Sequence, residues 1–243
     1  MTLPKAICFD LDDTLIEAYG NPRDAWNAVL KDNADALAGI KIDELSDTIG
    51  DVTRRFWKDE RLSQIWRADI IGARREIMRL ARFEFEKKAA KTFDELIGRE
   101  IADQFSAYRD ANLRINDSAI PVLAKLTELG IRLGVITNGT SVVQRAKMDR
   151  FGLTKFFHLV QIEGEVGVGK PDLEAYRCAL NHLRLAATDV WMVGDNLEWD
   201  VLAPQRLGIT GIWFNPNNIP FTLNPPIPDR TIASLSLVVP LAE

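Results

Sequence analysis

The sequence predicts an α/β protein: a Rossmann-like core built on a parallel sheet, with an all-helical segment inserted near its start. Three observations predict it. A short apolar run, Ala6-Ile7-Cys8-Phe9, stops abruptly in acid at Asp10 and Asp12. From about Glu17 to Arg114 helical periodicity and dense charge replace strand signals. From Asn116 onward apolar strands alternate with amphipathic helices, the pattern of a parallel sheet covered on both faces. The expected division is a core of residues 1–16 and 114–243 and a helical domain of residues 17–113.

Each element has a local reason. Asn21-Pro22 opens a helix carrying Ala25, Trp26, Val29 and Leu30 on one face. Phe56, Trp57, Ile65, Trp66, Ile70, Ile71, Ile77 and Met78 continue the apolar faces. Thr92 is the expected N-cap of a last helix bearing Phe93, Leu96, Ile97, Ile101 and Phe105. Asp117-Ser118 cap a helix with Pro121 in its first turn and Val122, Leu123, Leu126 and Leu129 facing inward, closed by Gly130. Strands are expected at Arg132–Ile136, Phe157–Ile162, Val190–Val193 and Ile209–Phe214. Helices are expected from Thr140-Ser141 to near Gly152, over Asp172–Leu183, and over Glu198–Leu207 before Gly208. The Pro-rich run Asn215–Pro228 reads as a loop and the tail from about Ser234 as a short helix.

Composition narrows the function. With 243 residues and 47% hydrophobic content, the chain can bury a substantial core. A net charge of −5 without a basic run argues against nucleic acid as a partner. Cys8 and Cys178 give neither a disulfide framework nor metal-ligand spacing, and a reducing cytoplasm fits. The Met1-Thr2-Leu3-Pro4-Lys5 start has no signal-peptide character, and no apolar run is long enough to span a bilayer. The expectation is a cytoplasmic protein with no membrane partner, monomeric or homodimeric.

Asp10 and Asp12 set the chemistry. Two residues apart in extended backbone, they leave the same side of the sheet. Converging carboxylates at a buried edge need a cation, or a proton on one of them. A calcium loop starting at Asp10 fails, because its sixth and twelfth positions hold Leu15 and Asn21 where Gly and Glu are required. Ligands of open parallel sheets bind outside the strands' carboxyl ends. The other strand ends bring Thr137-Asn138-Gly139, a glycine-rich loop leading to Lys170, and Gly194-Asp195 with Asp200 five residues later. Singly, Thr137 reads as a cap, Lys170 as a surface lysine and Asp195 as turn chemistry. Together they bring polar groups to one edge from four strands.

In that order and with those flanks, the chain resembles the haloacid dehalogenase-like (HAD) hydrolase superfamily along its whole length. Asp10, Asp12 and Thr14 match motif I, Thr137 motif II, Lys170 motif III, and Asp195 and Asp200 motif IV. The insert just after motif I resembles the family's C1 cap. The resemblance implies an Mg²⁺-dependent phosphatase acting on a small phosphorylated metabolite, such as a sugar phosphate or nucleotide. It implies Mg²⁺ ligation by Asp10, Asp195 and the backbone carbonyl of Asp12, with Asp200 in the second shell. It implies in-line attack by Asp10 to form an aspartyl-phosphate, with Asp12 as the acid and then the base. Thr137, the Asn138 amide and Lys170 would hold the equatorial oxygens, and Thr14 would orient Asp12. A phosphate monoester adds roughly two negative charges to about three ionised carboxylates if Asp12 is protonated. A divalent cation and a lysine offset about three of these, and backbone N–H groups and the helix N-terminus after Gly139 take the rest.

Asp12 separates the alternatives. Dehalogenating members of the family lack an acid two residues after the nucleophile, because departing halide needs no proton. A phosphomutase remains the nearest alternative, followed by a 2-haloacid dehalogenase. A non-catalytic, receiver-like phosphoryl-binding protein is a third, opposed by Asp12 and by the large insert. One departure from the family pattern is Pro204 in the Val201-Leu202-Ala203-Pro204-Gln205 run, which removes a backbone donor. In the insert, Trp26, Trp57, Trp66, Arg54, Arg55, Arg67, Arg74 and Arg75 are candidates for substrate selection, with cap-core packing and solvated faces as the plainer readings. Residues 67–91 carry eight Lys or Arg against four Asp or Glu, which favours an anionic ligand.

Overall fold

The structure is a computed structural model that describes residues 3–17, 22–67, 69–221 and 227–238. The chain divides into two compact units, one of Met1–Glu17 with Ile115–Glu243 and the other of Ala18–Arg114.

The first unit is built on six parallel strands: β1 (Ala6–Phe9), β4 (Arg132–Thr137), β5 (Leu159–Ile162), β6 (Val190–Gly194), β7 (Thr210–Phe214) and β8 (Arg230–Ile232). Their order is β5-β4-β1-β6-β7-β8. Two-residue strands β2 (Ile16–Glu17) and β3 (Arg114–Ile115) pair outside this sheet. β1 is central, paired to β4 from Ala6↔Arg132 to Phe9↔Val135 and to β6 from Ala6↔Val190 to Phe9↔Val193. Covered on both faces, all four β1 residues are buried, which explains their unbroken apolar run.

The helices of this unit are α6 (Ala119–Glu128), α7 (Ser141–Arg150), the single turn α8 (Glu163–Val166), α9 (Leu173–Leu183) and the short α10 (Ala203–Gln205). Thr140 caps α7 through Val143 N–H, and Asp172 caps α9 through Glu174 N–H at 2.9 Å. These caps start both helices just past the sheet's carboxyl edge. Tyr176, Ala179 and Leu183 of α9 pack with Cys8, Ile136 and Met192 under the sheet.

The second unit is all helical: α1 (Pro22–Asp32), α2 (Ile42–Lys58), α3 (Glu60–Trp66), α4 (Ile70–Ala89) and α5 (Glu95–Ala111). Its core joins Trp26, Val29 and Leu30 to Leu45, Ile49, Phe56, Ile77, Met78, Ile101 and Phe105. The Trp26 and Phe105 rings stack at 3.7 Å with 2° between planes. Among the described residues, no helix is long and apolar enough to cross a membrane.

Several expectations are corrected. The last helix of this unit is capped by Asp94, whose carboxylate accepts from Leu96 N–H at 2.7 Å, and not by Thr92. Thr92 accepts instead from Arg82. The shifted start leaves Leu96 67% exposed, while Phe93 packs into the core ahead of the helix. Ile65, Ile70, Ile71 and Leu129 are exposed rather than inward-facing. The helix expected over Glu198–Leu207 is a π-helical turn, Leu197–Leu202, running into α10. Pro204 has no N–H to give to a regular ladder, and Ala203 N–H reaches back five residues to Glu198. The strand expected from Phe157 begins at Leu159, and β8 lies between the expected Asn215–Pro228 loop and the tail, where no element was expected. Of the expected helix at 21–22, the loop at 215–228 and the tail helix, residues 21, 222–226 and 239–243 lie outside the described residues. The described part of the tail is a 3-10 turn, Leu235–Leu237.

Trp26→Ala removes one half of the central ring stack of the helical unit. The expected cost is about 3–5 kcal/mol, read as a lower urea midpoint. A loss below about 1 kcal/mol would mean that the surrounding side chains collapse into the space.

Candidate active site

The carboxyl edge of the sheet gathers the charged groups. Asp10 follows β1, Thr137 ends β4, Lys170 lies on the loop beyond β5 and α8, and Asp195 follows β6. The Asp10 N–H donates to Val193 O at 2.9 Å, fixing the end of β1 against β6. Lys170 Nζ lies 2.6 Å from Asp10 Oδ1 and 2.6 Å from Asp200 Oδ1. Lys170 and Asp200 are 2% and 1% exposed, so this bridge is out of bulk water.

Backbone contacts hold that geometry. Asn138 clamps Lys170 from both sides: its Nδ2 donates to Lys170 O at 2.7 Å, and its Oδ1 accepts from Lys170 N–H at 2.8 Å. Asp200 accepts from Asn196 N–H at 3.0 Å. Trp213 Nε1 donates to Asp195 O at 2.9 Å, anchoring the loop after β6. Gly194 is needed here, since a Cβ would stand 2.3 Å from the Asp200 carboxyl. Gly169 likewise leaves room for Asn138 Oδ1, which a Cβ would approach to 2.8 Å.

Three carboxylates, Asp10, Asp195 and Asp200, offer oxygens within 4.8 Å of one another. Among the described hydrogen bonds, Lys170 Nζ bridges Asp10 to Asp200, and Thr14 Oγ1 stands between Asp10 and Asp195. Burial pushes the Asp10 carboxyl up to about 7, with Asp200 adding repulsion and Lys170 opposing. Burial, then Asp10 and Asp200, raises Asp195 to about 8. Asp200 is raised by burial against the pull of Lys170. Burial alone would lower Lys170, but Asp10 and Asp200 override it and keep the ammonium charged. Three carboxyls that resist ionising together around one ammonium form a buried, all-oxygen donor set, which fits a hard divalent cation. Cys8, beneath the cluster, has its thiol pushed up to about 12 by burial and is unreactive.

Asp12 takes a different place. β1 ends at Phe9, and the chain then turns back on itself, with Leu15 N–H on Leu11 O at 3.0 Å and Asp13 in a left-handed conformation at φ 57°. The Asp12 carboxylate is turned to α7, where it accepts from Lys147 Nζ at 2.6 Å and Gln144 Nε2 at 2.8 Å. Thr14, expected to orient Asp12, contacts the other acids. Its Oγ1 accepts from Asp195 N–H at 3.1 Å and lies 3.4 Å from Asp10 Oδ2 and Asp195 Oδ1. The tight turn around Asp13 carries Thr14 to Asp10 and Asp195 and away from Asp12. Thr137 Oγ1 accepts from Gln144 Nε2 at 2.6 Å.

Gln144, Lys147 and Glu163 escaped the sequence reading. Glu163 Oε2 accepts from Gly139 N–H at 3.2 Å. The available signal was the three-residue spacing of Gln144 and Lys147 on the helix leaving Thr137, which puts both on one face. In the helical unit, the arginines proposed for substrate selection have internal partners. Arg54 pairs with Asp51, Arg55 with Glu84 at 2.7 Å, and Arg75 with Asp103 at 2.6 Å. Arg74 lies over the Phe105 ring at 5.4 Å. Trp26 is core; Trp57 and Trp66 are half-buried against it. Trp66 and Arg75 also line a cavity of about 410 Å³ within this unit, beside Arg79 and Arg82.

Comparison with known proteins agrees with the geometry. The haloacid dehalogenase-like hydrolase family matches residues 4–208. The glyceraldehyde 3-phosphate phosphatase of Pyrococcus abyssi is 30% identical over 86% of this chain and 81% of its own length. The phosphoserine phosphatase of Thermus thermophilus is 37% identical over 115 residues, 47% of this chain and 46% of that protein. The HAD-hydrolase YfnB of Bacillus subtilis, whose structure is bound to magnesium, shares the fold with a TM-score of 0.71 at 20% identity, covering 98% of this chain and 97% of that one.

The raised carboxyls predict how stability responds to pH and cation. Their folded values near 7 and 8 lie above the ordinary 3.8, so the folded chain holds protons that the unfolded chain releases. That contribution is fully present below pH 3.8 and is lost as pH rises through 7 and 8. The cation-free protein should have a lower melting temperature at pH 8 than at pH 6, and Mg²⁺ should raise it more at pH 8. An equal Mg²⁺ effect at both pH values would contradict this reading of the cluster.

Proposed function

This chain belongs to the haloacid dehalogenase-like hydrolase family, and from that membership we propose that it is an Mg²⁺-dependent phosphatase of small phosphorylated metabolites. The observation that carries the proposal is Asp12, a second carboxylate two residues beyond Asp10, beside the buried Asp10–Lys170–Asp200 cluster. Halide displacement has no use for it, whereas an alkoxide leaving group needs its proton. The two phosphatase relatives act on small phosphomonoesters, as their names state, which supports the substrate class.

In this reading Asp10 attacks phosphorus and becomes an aspartyl-phosphate as the ester oxygen departs with a proton from Asp12. Asp12 then takes a proton from the water that bonds to phosphorus, and the Asp10 carboxylate is released with inorganic phosphate. Thr137, the Asn138 amide and Lys170 hold the non-reacting oxygens. Lys170 also neutralises part of the charge on Asp10, limiting its repulsion of the incoming phosphate. Asp10, Asp195 and the backbone carbonyl of Asp12 would hold Mg²⁺, with Asp200 in the second shell and Thr14 bracing Asp10 and Asp195. When bound, the ion supplies positive charge to the phosphoryl oxygens. The helical unit, inserted just after Thr14, is read as a C1-type cap that selects the leaving group. Both cysteines are free, as a reducing cytoplasm allows.

The test is phosphate release from a panel of small phosphomonoesters, with Mg²⁺ or with EDTA. Release should require Mg²⁺, vanish in Asp10→Asn, and fall roughly 10²–10⁴-fold in Asp12→Asn for alkyl esters. A folded, Mg²⁺-loaded protein that releases phosphate from no ester would overturn the proposal.

A further inference from the structure

We propose that Lys147 and Gln144 are positioning residues that fix the Asp12 carboxylate for hydrolysis of the aspartyl-phosphate, an inference that rests on the phosphatase reading above. Each oxygen of Asp12 has its own donor on α7. Lys147 Nζ lies 2.6 Å from Oδ1, and Gln144 Nε2 lies 2.8 Å from Oδ2. Asp10, in contrast, is held by Lys170 and Thr14. The two carboxylates thus have separate supports.

The α7 contacts are more than a surface ion pair. Two solvated side chains contribute little and are screened by salt. Here the Lys147 side chain is 16% exposed and Gln144 is 2% exposed. Gln144 Nε2 also donates to Thr137 Oγ1 at 2.6 Å, so one amide nitrogen ties Asp12 to a group assigned to the phosphoryl oxygens. Its two hydrogens match two acceptors. Asp12 needs such restraint because its side chain is 43% exposed, and water does not select one rotamer.

The step that depends on this is the second one. The Asp12 carboxylate takes a proton from water as the water oxygen bonds to phosphorus. The bond from phosphorus to Asp10 breaks, its electron pair returns to the Asp10 carboxylate, and inorganic phosphate forms. A general base must lie within hydrogen-bond reach of its water, and loss of the clamp lets Asp12 leave that position.

p-Nitrophenyl phosphate separates the two steps, because p-nitrophenolate departs without a proton. Stopped-flow release should be compared for the natural protein, Lys147→Met, Gln144→Leu and Lys147→Arg, with Mg²⁺ present. In Lys147→Met and Gln144→Leu, a first turnover close to the natural rate should be followed by steady-state release slowed roughly 10- to 100-fold, part of what loss of a general base costs. Lys147→Arg, which keeps a cationic donor, should recover most of the steady state. Steady-state rates within about threefold of the natural protein in both variants would overturn the positioning role, as would equal slowing of both phases. An active natural protein with unaffected variants refutes this inference alone; a natural protein inactive on every ester refutes the phosphatase reading and this inference with it.

Discussion

The Lys170 ammonium, buried between Asp10 and Asp200, is the constraint around which the carboxyl edge of the sheet is arranged. An ammonium so placed is tolerable only because carboxylates stand at hydrogen-bond distance to offset its buried charge. The neighbouring sequence serves that requirement. Asn138 pins the Lys170 backbone on both its N–H and its carbonyl, and Gly194 lacks the Cβ that would displace Asp200. β1 and β6 are buried and apolar to their last residues, so their ends deliver Asp10 and Asp195 in fixed register. One ammonium does not balance three ionised carboxylates, and that imbalance is what equips the site for a cation.

The fold also gives two acids, two residues apart, different surroundings. Asp10 is buried, raised, and shared among Lys170, Thr14 and the other acids. Asp12 is beyond the end of the strand, half-exposed, and held from α7. A nucleophile benefits from a fixed, desolvated position, whereas a proton carrier must meet both the leaving oxygen and water. The tight turn from Leu11 to Ile16 makes that separation possible.

The sequence was informative where a residue's place follows from a strand end. Asp10, Thr137 and Asp195 directly follow or close apolar runs whose burial fixes register, so their meeting at one edge could be inferred. Lys170 and Asp200 come from loops, and their place rested on motif order. That Thr14 contacts Asp10 and Asp195 and not Asp12 depends on the left-handed Asp13 and the turn around it, which motif order does not describe. Lys147 and Gln144 looked like ordinary polar positions of a helix, because nothing local shows that the face toward Asp12 is enclosed. Asp94 displaced Thr92 as a cap by two residues, within the usual uncertainty of helix ends. β8 is three residues beside a Pro-rich stretch, too short for alternation to register.

The central claim is that Asp10 carries the phosphoryl group. Asp12→Asn protein should be mixed with p-nitrophenyl phosphate and Mg²⁺, quenched in acid during turnover, and analysed by peptide mass spectrometry. The account predicts one added phosphoryl group on the peptide containing Asp10, assigned to that residue. Turnover with the Asp10 peptide unmodified at every time point, or with the phosphoryl group on another residue, would contradict it.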